Sequence, residues 1–146
     1  MLRYLLKKSR IPLTGRSEEL AKADRAFSLY IRTRDSQKYG GTEFKCISCG
    51  RVLPIEQADA GHYCDRMHMA TRFHELNVWA QCIECNRFKD GNISNYREKL
   101  VGLIGEDAVS ELEQLHYTTK KLDVFDLREI ANKYKNKIKE FKYKIR

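Results

Sequence analysis

Long apolar runs are missing from this sequence. The longest last only a few residues, which excludes a membrane-spanning helix, so no membrane partner is expected. The opening MLRYLLKKSR puts a short apolar patch before its basic residues, the reverse of a secretory signal, so export is not expected and the reading is cytoplasmic. No internal repeat or low-complexity tract is present, which excludes a repeat array. Histidine is scarce, with four in 146 residues, so each one is a scarce proton-transfer group. Acidic side chains are outnumbered, 20 against 28 basic, for a net charge of +8. What remains is ordinary for a soluble globular chain, 42% hydrophobic and 33% charged, and long enough for one domain with a modest core.

The charge is uneven. Residues 1–40 carry +6, residues 41–92 carry −1 and residues 93–146 carry +3. Basic flanks around a near-neutral centre suit a polyanion, because each neutralised phosphate releases counterions. A nucleic acid is the expected partner. The expected organisation is a basic helical N-terminal arm over 1–41, a core over 42–92 and a helical C-terminal extension over 93–146.

Residues 14–34 predict a helix capped by Ser17, with Glu18 and Glu19 in its first turn. Leu20, Ala23, Phe27, Tyr30 and Ile31 form its apolar stripe. Gly40-Gly41 marks a loop. RVLPIEQADAGHY predicts two short extended pieces, since Pro54 disfavours a helix through it. NVWAQC predicts a strand, and CIECNRFKDG a helix start that stops near Gly91. Three helices follow: one ending at Gly105, one with Val109, Leu112 and Leu115 on a face, and one capped by Asp123. The last has an apolar stripe of Val124, Leu127, Ile130, Tyr134, Ile138 and Phe141 beside a lysine-rich face. The fold class is therefore α+β.

All five cysteines lie in the centre. Cys46-x2-Cys49 and Cys82-x2-Cys85 have the spacing with which backbone turns present paired thiolates to one tetrahedral zinc ion. The 32 residues between the pairs exceed a simple zinc ribbon, so something is built inside the loop. Cys64 is left over and reads as a small, partly buried thiol.

His62 lies inside that loop, Asn77 lies five residues before Cys82, and Asn86 follows Cys85 directly. This order resembles the HNH nuclease motif, in the form H-N-N. The resemblance implies a small zinc-stapled ββα-metal core. It also implies roles: His62 as general base, Asn77 orienting it, and Asn86 helping to bind a catalytic magnesium or manganese ion. The chemistry is coherent, since a neutral histidine can take a proton from water and a hard cation binds phosphate oxygens. CISCG, QADAGHY, RFHELNVWAQCIECN, GN and YREKL, with FSLYIRTRD upstream, narrow the resemblance to the NinG, or Rap, family of phage recombination proteins. Together they cover roughly residues 27–104. CIECN is also similar to the corresponding junction of the phage endonuclease VII resolvases. The resemblance implies a phage or prophage origin and a structure-specific endonuclease acting on branched DNA such as Holliday junctions and D-loops.

Many HNH enzymes carry Asp or His, as a metal ligand, directly before the base histidine. Here Gly61 stands there. The second ligand must then come from elsewhere: Asp59, on the same side of an extended strand as Gly61, or Asp90, on the same helical face as Asn86, with Asp65 behind them. Arg66, Arg72, Arg87 and Lys89 flank the expected site and are the candidate phosphate contacts, with Arg72 first. His68 and His74 could approach the site, His116 reads as structural, and Trp79 reads as core. Two other readings stand beside the nuclease: a zinc-stapled DNA-binding protein without catalysis, and a zinc-containing RNA-binding protein. A two-fold junction would suit a homodimer.

Overall fold

The computed structural model describes residues 2–146, with side chains from residue 15 onward. It is a mixed α+β arrangement of two small sheets among helices. No described helix is long and apolar enough to cross a membrane.

Helix α1 spans Leu2–Ser36, longer than the periodicity predicts, and it does not begin at Ser17. Of the two acids expected to mark its first turn, Glu18 is exposed and Glu19 has a packed role within the helix. Glu19 is buried and pairs with Lys22 at 3.4 Å and with Arg128 at 3.5 Å. The side chains expected of the basic arm before residue 15 lie outside the described residues.

A short 3₁₀ turn, Gln37–Tyr39, leads through Gly40 and Gly41, both at positive φ, into strand β1 (Glu43–Lys45). It pairs antiparallel with β2 (Val52–Pro54). The knuckle between them carries the first cysteine pair. Strand β3 (Ala58–His62) then pairs antiparallel with β4 (Val78–Cys82), with His62 opposite Val78 and Gly61 opposite Trp79. The long connection between them contains the one-turn helix α2 (Met69–Arg72). A π-helical turn, Glu84–Phe88, follows β4 and ends among Asp90, Gly91 and Asn92, all at positive φ. Helices α3 (Ile93–Ile104), α4 (Glu106–His116) and α5 (Val124–Ile138) complete the chain.

Asp123 caps α5 as expected. Its carboxylate accepts from the Asp126 N–H at 2.8 Å and the Asp126 side chain accepts from the Asp123 N–H at 2.9 Å. The helix stops at Ile138, although Phe141 beyond it still packs on the core.

Among the described residues, three apolar clusters hold these elements. The predicted stripes of α1 and α5 meet, Phe27, Tyr30 and Ile31 against Leu127 and Tyr134, and Ala131 of α5 and Val78 of β4 join them. Phe44, Ile55, Ala58 and Ala80 pack around Cys46, Cys82 and Cys85. Tyr96, Leu100, Val109 and Leu112 of α3 and α4 enclose Cys64, with Trp79 at their margin. Glu75 ties α1 to α5: it accepts from Tyr30 at 2.7 Å and Tyr134 at 3.3 Å and pairs with Lys137. The N- and C-terminal helices thus brace the two strands that carry the site.

Candidate active site and metal centre

The two cysteine pairs converge. The sulfurs of Cys46, Cys49, Cys82 and Cys85 all lie within 4.8 Å of one another, and Cys49 and Cys82 are 3.9 Å apart. A tetrahedron with metal–sulfur bonds of about 2.3 Å has edges of about 3.8 Å, so the set fits one zinc ion. It is far too open for a disulfide. Around the sulfurs stand hydrogen-bond donors that favour thiolate: the Cys82 N–H to Cys46 at 3.3 Å, the Asn92 amide to Cys85 at 3.4 Å and Arg51 Nε to Cys49 at 3.3 Å. Burial works against a Cys49 charge, yet Arg51 holds its thiol below the ordinary range. Cys64 has no part in this cluster. It is buried beside Leu112, and burial raises its thiol to about 11.

A second centre lies across β3, in a cleft of about 270 Å³ lined by Asp24, Ser28, Asp59, His62, Arg66, Asn86 and Arg87. The ββ pair and the turn after it explain this convergence. His62 ends β3, Asp59 is the second residue of the same strand, and Asn86 and Arg87 ride on the π-helical turn that Cys82 and Cys85 anchor. The imidazole is held by one hydrogen bond, from Nε2 to the Arg72 carbonyl at 2.9 Å. A carbonyl only accepts, so neutral His62 carries its proton on Nε2 and keeps Nδ1 as the basic nitrogen. Burial, with Arg66 and Arg72 nearby, lowers its pKa from the ordinary histidine value.

Asp59 accepts from the Asn86 amide at 2.9 Å and from Arg87 through both oxygens, at 2.8 and 2.7 Å. Burial opposes its charge, but these donors keep the carboxyl below its usual range. Because the Asn86 NH₂ is spent on Asp59, its carbonyl oxygen keeps its acceptor capacity. Asp90 does not share the cleft; it is an exposed turn residue at φ 48. Asp65 caps the next turn by accepting from the Met67 N–H at 2.7 Å. Of the three candidate acids, only Asp59 stands beside both His62 and Asn86.

Asn77 is fully buried and makes no hydrogen bond with His62. Its oxygen accepts from the Cys64 N–H at 2.7 Å, and its NH₂ donates to the carbonyls of Cys64 and Thr71 at 3.0 and 3.1 Å. It therefore staples the β3–β4 connection shut. Thr71 precedes the residue whose carbonyl holds His62, so any orienting effect passes through the backbone.

Arg72, first among the expected phosphate contacts, has a different task. Its side chain is 7% exposed and its fork is spent on Asp24, at 2.9 and 2.5 Å, and on the Arg66 carbonyl at 2.8 Å. It locks the connection onto α1 and fixes the carbonyl that holds His62. Lys89 pairs with Glu84 at 3.6 Å and is not a cleft residue. Arg66 and Arg87 do line the cleft. Nor do His68, His74 or His116 line it: the rings of the first and last lie 3.8 Å apart, tilted by 54°, and His74 Nδ1 accepts from the Leu76 N–H. Asp24 was not legible as a site residue, since it lies 38 positions before His62 on an ordinary helical face.

Two mutations test this architecture. Asp24→Asn leaves the buried Arg72 charge uncompensated and is expected to cost about 3 kcal/mol, measured by denaturant unfolding. Gly61→Ala is expected to cost roughly 1–3 kcal/mol. A Cβ at Gly61 would lie 2.1 Å from Gln81 Oε1 and 2.7 Å from its Cβ, and Gln81 is fully buried. Packing thus accounts for glycine at this position. A Gly61→Ala protein of parental stability would show that Gln81 gives way freely.

The family model described as the Bacteriophage Lambda NinG protein matches residues 3–144. Protein ninG of Escherichia phage 933W is 38% identical over 140 residues, covering 94% of this chain and 65% of that protein. Protein ninG of Escherichia phage lambda is 36% identical over 140 residues, with 94% and 64% covered, and that of Salmonella phage P22 is 36% identical over 144 residues, with the same shares. The chain thus spans somewhat under two thirds of the length of these relatives. No solved structure matches it. On a match that runs from the first helix to the last residues beyond α5, this chain belongs to the NinG family of bacteriophage proteins.

Proposed function

We propose that this chain is a metal-dependent, structure-specific DNA endonuclease of HNH type that hydrolyses phosphodiester bonds in branched DNA such as four-way junctions and D-loops. The observation that carries the reading is the convergence of His62, Asp59 and Asn86 with two arginines in one cleft, on a strand pair and turn stapled by the four cysteines. Two hard oxygen donors stand side by side there, the Asp59 carboxylate and the Asn86 amide oxygen, and that set fits magnesium or manganese. Bound at these oxygens, such a cation would supply positive charge to the scissile phosphate and the leaving oxygen. His62, with Nε2 tied to the Arg72 carbonyl, takes the proton of the attacking water on Nδ1. Arg66 and Arg87 bind the flanking phosphates. Phe88, 79% exposed between Arg87 and Lys89, offers a ring to the unstacked bases of a branch point. The substrate would be met in the cytoplasm of the bacterial host.

The test is cleavage of matched linear, D-loop and four-way-junction DNA with magnesium, with manganese or with a chelator. Metal-dependent cutting of the branched substrates is expected. Junction binding without cutting under every metal would leave the non-catalytic DNA-binding alternative, in which Arg87 holds Asp59 permanently. Arg66→Ala, which removes one exposed cation, is expected to weaken junction binding and to reduce the slope of log affinity against log salt by roughly 1, read by fluorescence anisotropy.

A further inference from the structure

A larger groove, of about 630 Å³, lies along the β4 side of the strand pair, whereas the cleft lies along β3. Its walls are the end of α1, the first cysteine knuckle and α3. The floor is mostly aliphatic, with Ile47, Leu76, Ala80 and Leu103 beside the edge of Trp79. Leu103 is 55% exposed and Leu76 39%, so the apolar surface is open to solvent.

The charges around it do not cancel. Asp35 is neutralised within the wall by Arg34, at 2.6 and 3.1 Å, and accepts from the Ala80 N–H at 2.7 Å. Glu75 is taken by Tyr30, Tyr134 and Lys137. Arg34 is further committed to the carbonyls of Glu75 and Val78, both at 2.9 Å, and stacks over Trp79 at 4.3 Å. Lys38, Lys45 and Lys99 are left, all exposed, and their side-chain amines have no hydrogen bond or ion pair among the described residues. Three uncompensated lysines therefore overhang an apolar floor.

We infer that this groove is a docking site for a peptide segment of a partner protein, one that carries bulky apolar side chains flanked by carboxylates. Apolar anchors bury the floor that is now wet, and the carboxylates meet the lysines, which selects acidic over neutral segments. A DNA strand matches less well. The Arg34 guanidinium covers one indole face, the indole N–H is spent on the Leu76 carbonyl at 2.8 Å, and a phosphate backbone gains nothing from aliphatic side chains. The groove is separate from the nuclease cleft and does not rest on the catalytic reading.

The experiment uses the full chain and a displayed random dodecapeptide library, followed by anisotropy titration of the best enriched peptide carrying a fluorescein label. Enriched peptides are expected to combine Leu, Phe or Trp with Asp or Glu. Binding is expected to fall roughly tenfold or more in the triple variant Lys38→Glu, Lys45→Glu, Lys99→Glu. Leu103→Asp, at a position 55% exposed on α3, is expected to abolish it, with circular dichroism and junction binding unchanged. Peptides without acids, or equal binding by the triple variant, would overturn the inference. So would competition by single-stranded oligothymidylate with loss of its binding in Leu103→Asp, which would make the groove a nucleic-acid surface. Self-association removed by Leu103→Asp would instead make it a contact between copies of this chain.

Discussion

His62→Ala is expected to lose turnover by roughly 10²–10⁴-fold while keeping its zinc, its fold and its affinity for junctions. The imidazole makes one hydrogen bond to the protein, to the Arg72 carbonyl, and that carbonyl is held independently by the Arg72–Asp24 lock. A structural histidine would be missed in stability, and a metal ligand would be missed in metal affinity. A base is missed in rate. The parent should cut faster as pH rises and reach its plateau early. Burial and the two arginines depress the pKa, so His62 becomes neutral at a pH below the ordinary histidine value of about 6.5. Activity is therefore lost only as pH falls through that depressed value. The same shift acts on stability. Below about pH 6.5 the unfolded chain takes a proton that folded His62 refuses, so stability falls as pH drops through that window. Asn86→Ala should differ from His62→Ala by a weaker response to magnesium, partly rescued at higher concentration. His62→Ala cutting at the parental rate would end the mechanism proposed above.

Cys82→Ser is expected to release the zinc and unfold the centre of the chain. Structural zinc sites of this kind carry roughly 10–16 kcal/mol of metal-binding free energy in small peptides, against a net stability of about 5–15 kcal/mol for a whole domain. Here the cluster around Phe44 is built partly from the ligands themselves, since Cys46, Cys82 and Cys85 are among its buried members. Cys82 also ends β4, and the turn that follows carries Asn86 and Arg87. Loss of the ion should therefore remove the cleft along with the knuckle. The measurement is metal content per chain with near-ultraviolet circular dichroism, and one zinc per parental chain is expected. Cys64→Ser is the control and should keep the metal, because its sulfur lies in the separate cluster of α3 and α4. A Cys82→Ser protein that stays folded with parental metal content would remove the four-sulfur site from this account.

Much of the layout was legible in the sequence because it depends on local chemistry. Two-residue gaps fix how a knuckle presents paired sulfurs, so the four cysteines that cluster could be named before any fold was known. Apolar spacing on α1 and α5 marked the faces that meet, and Asp123 announced its helix with a carboxylate that caps the backbone three residues on. The limits of α1 were not legible, because Ser17, Glu18 and Glu19 look like a helix start whether or not helix precedes them, and Glu19 finds Arg128 only after α5 docks. The site divides in the same way. His62 and Asn86 were named through the resemblance of their order to a known motif, and the structure brings both to one cleft. Only the tertiary structure separates Asp59 from Asp90, since strand pairing and the turn after β4 set Asp59 against Asn86 in the cleft and leave Asp90 in solvent. It also took Arg72 from an expected phosphate contact to a buried lock with Asp24, and Asn77 from a partner of His62 to a staple of the loop. A charged side chain looks the same in sequence whether it faces phosphate or a buried carboxylate, and only the approach of a distant helix determines which.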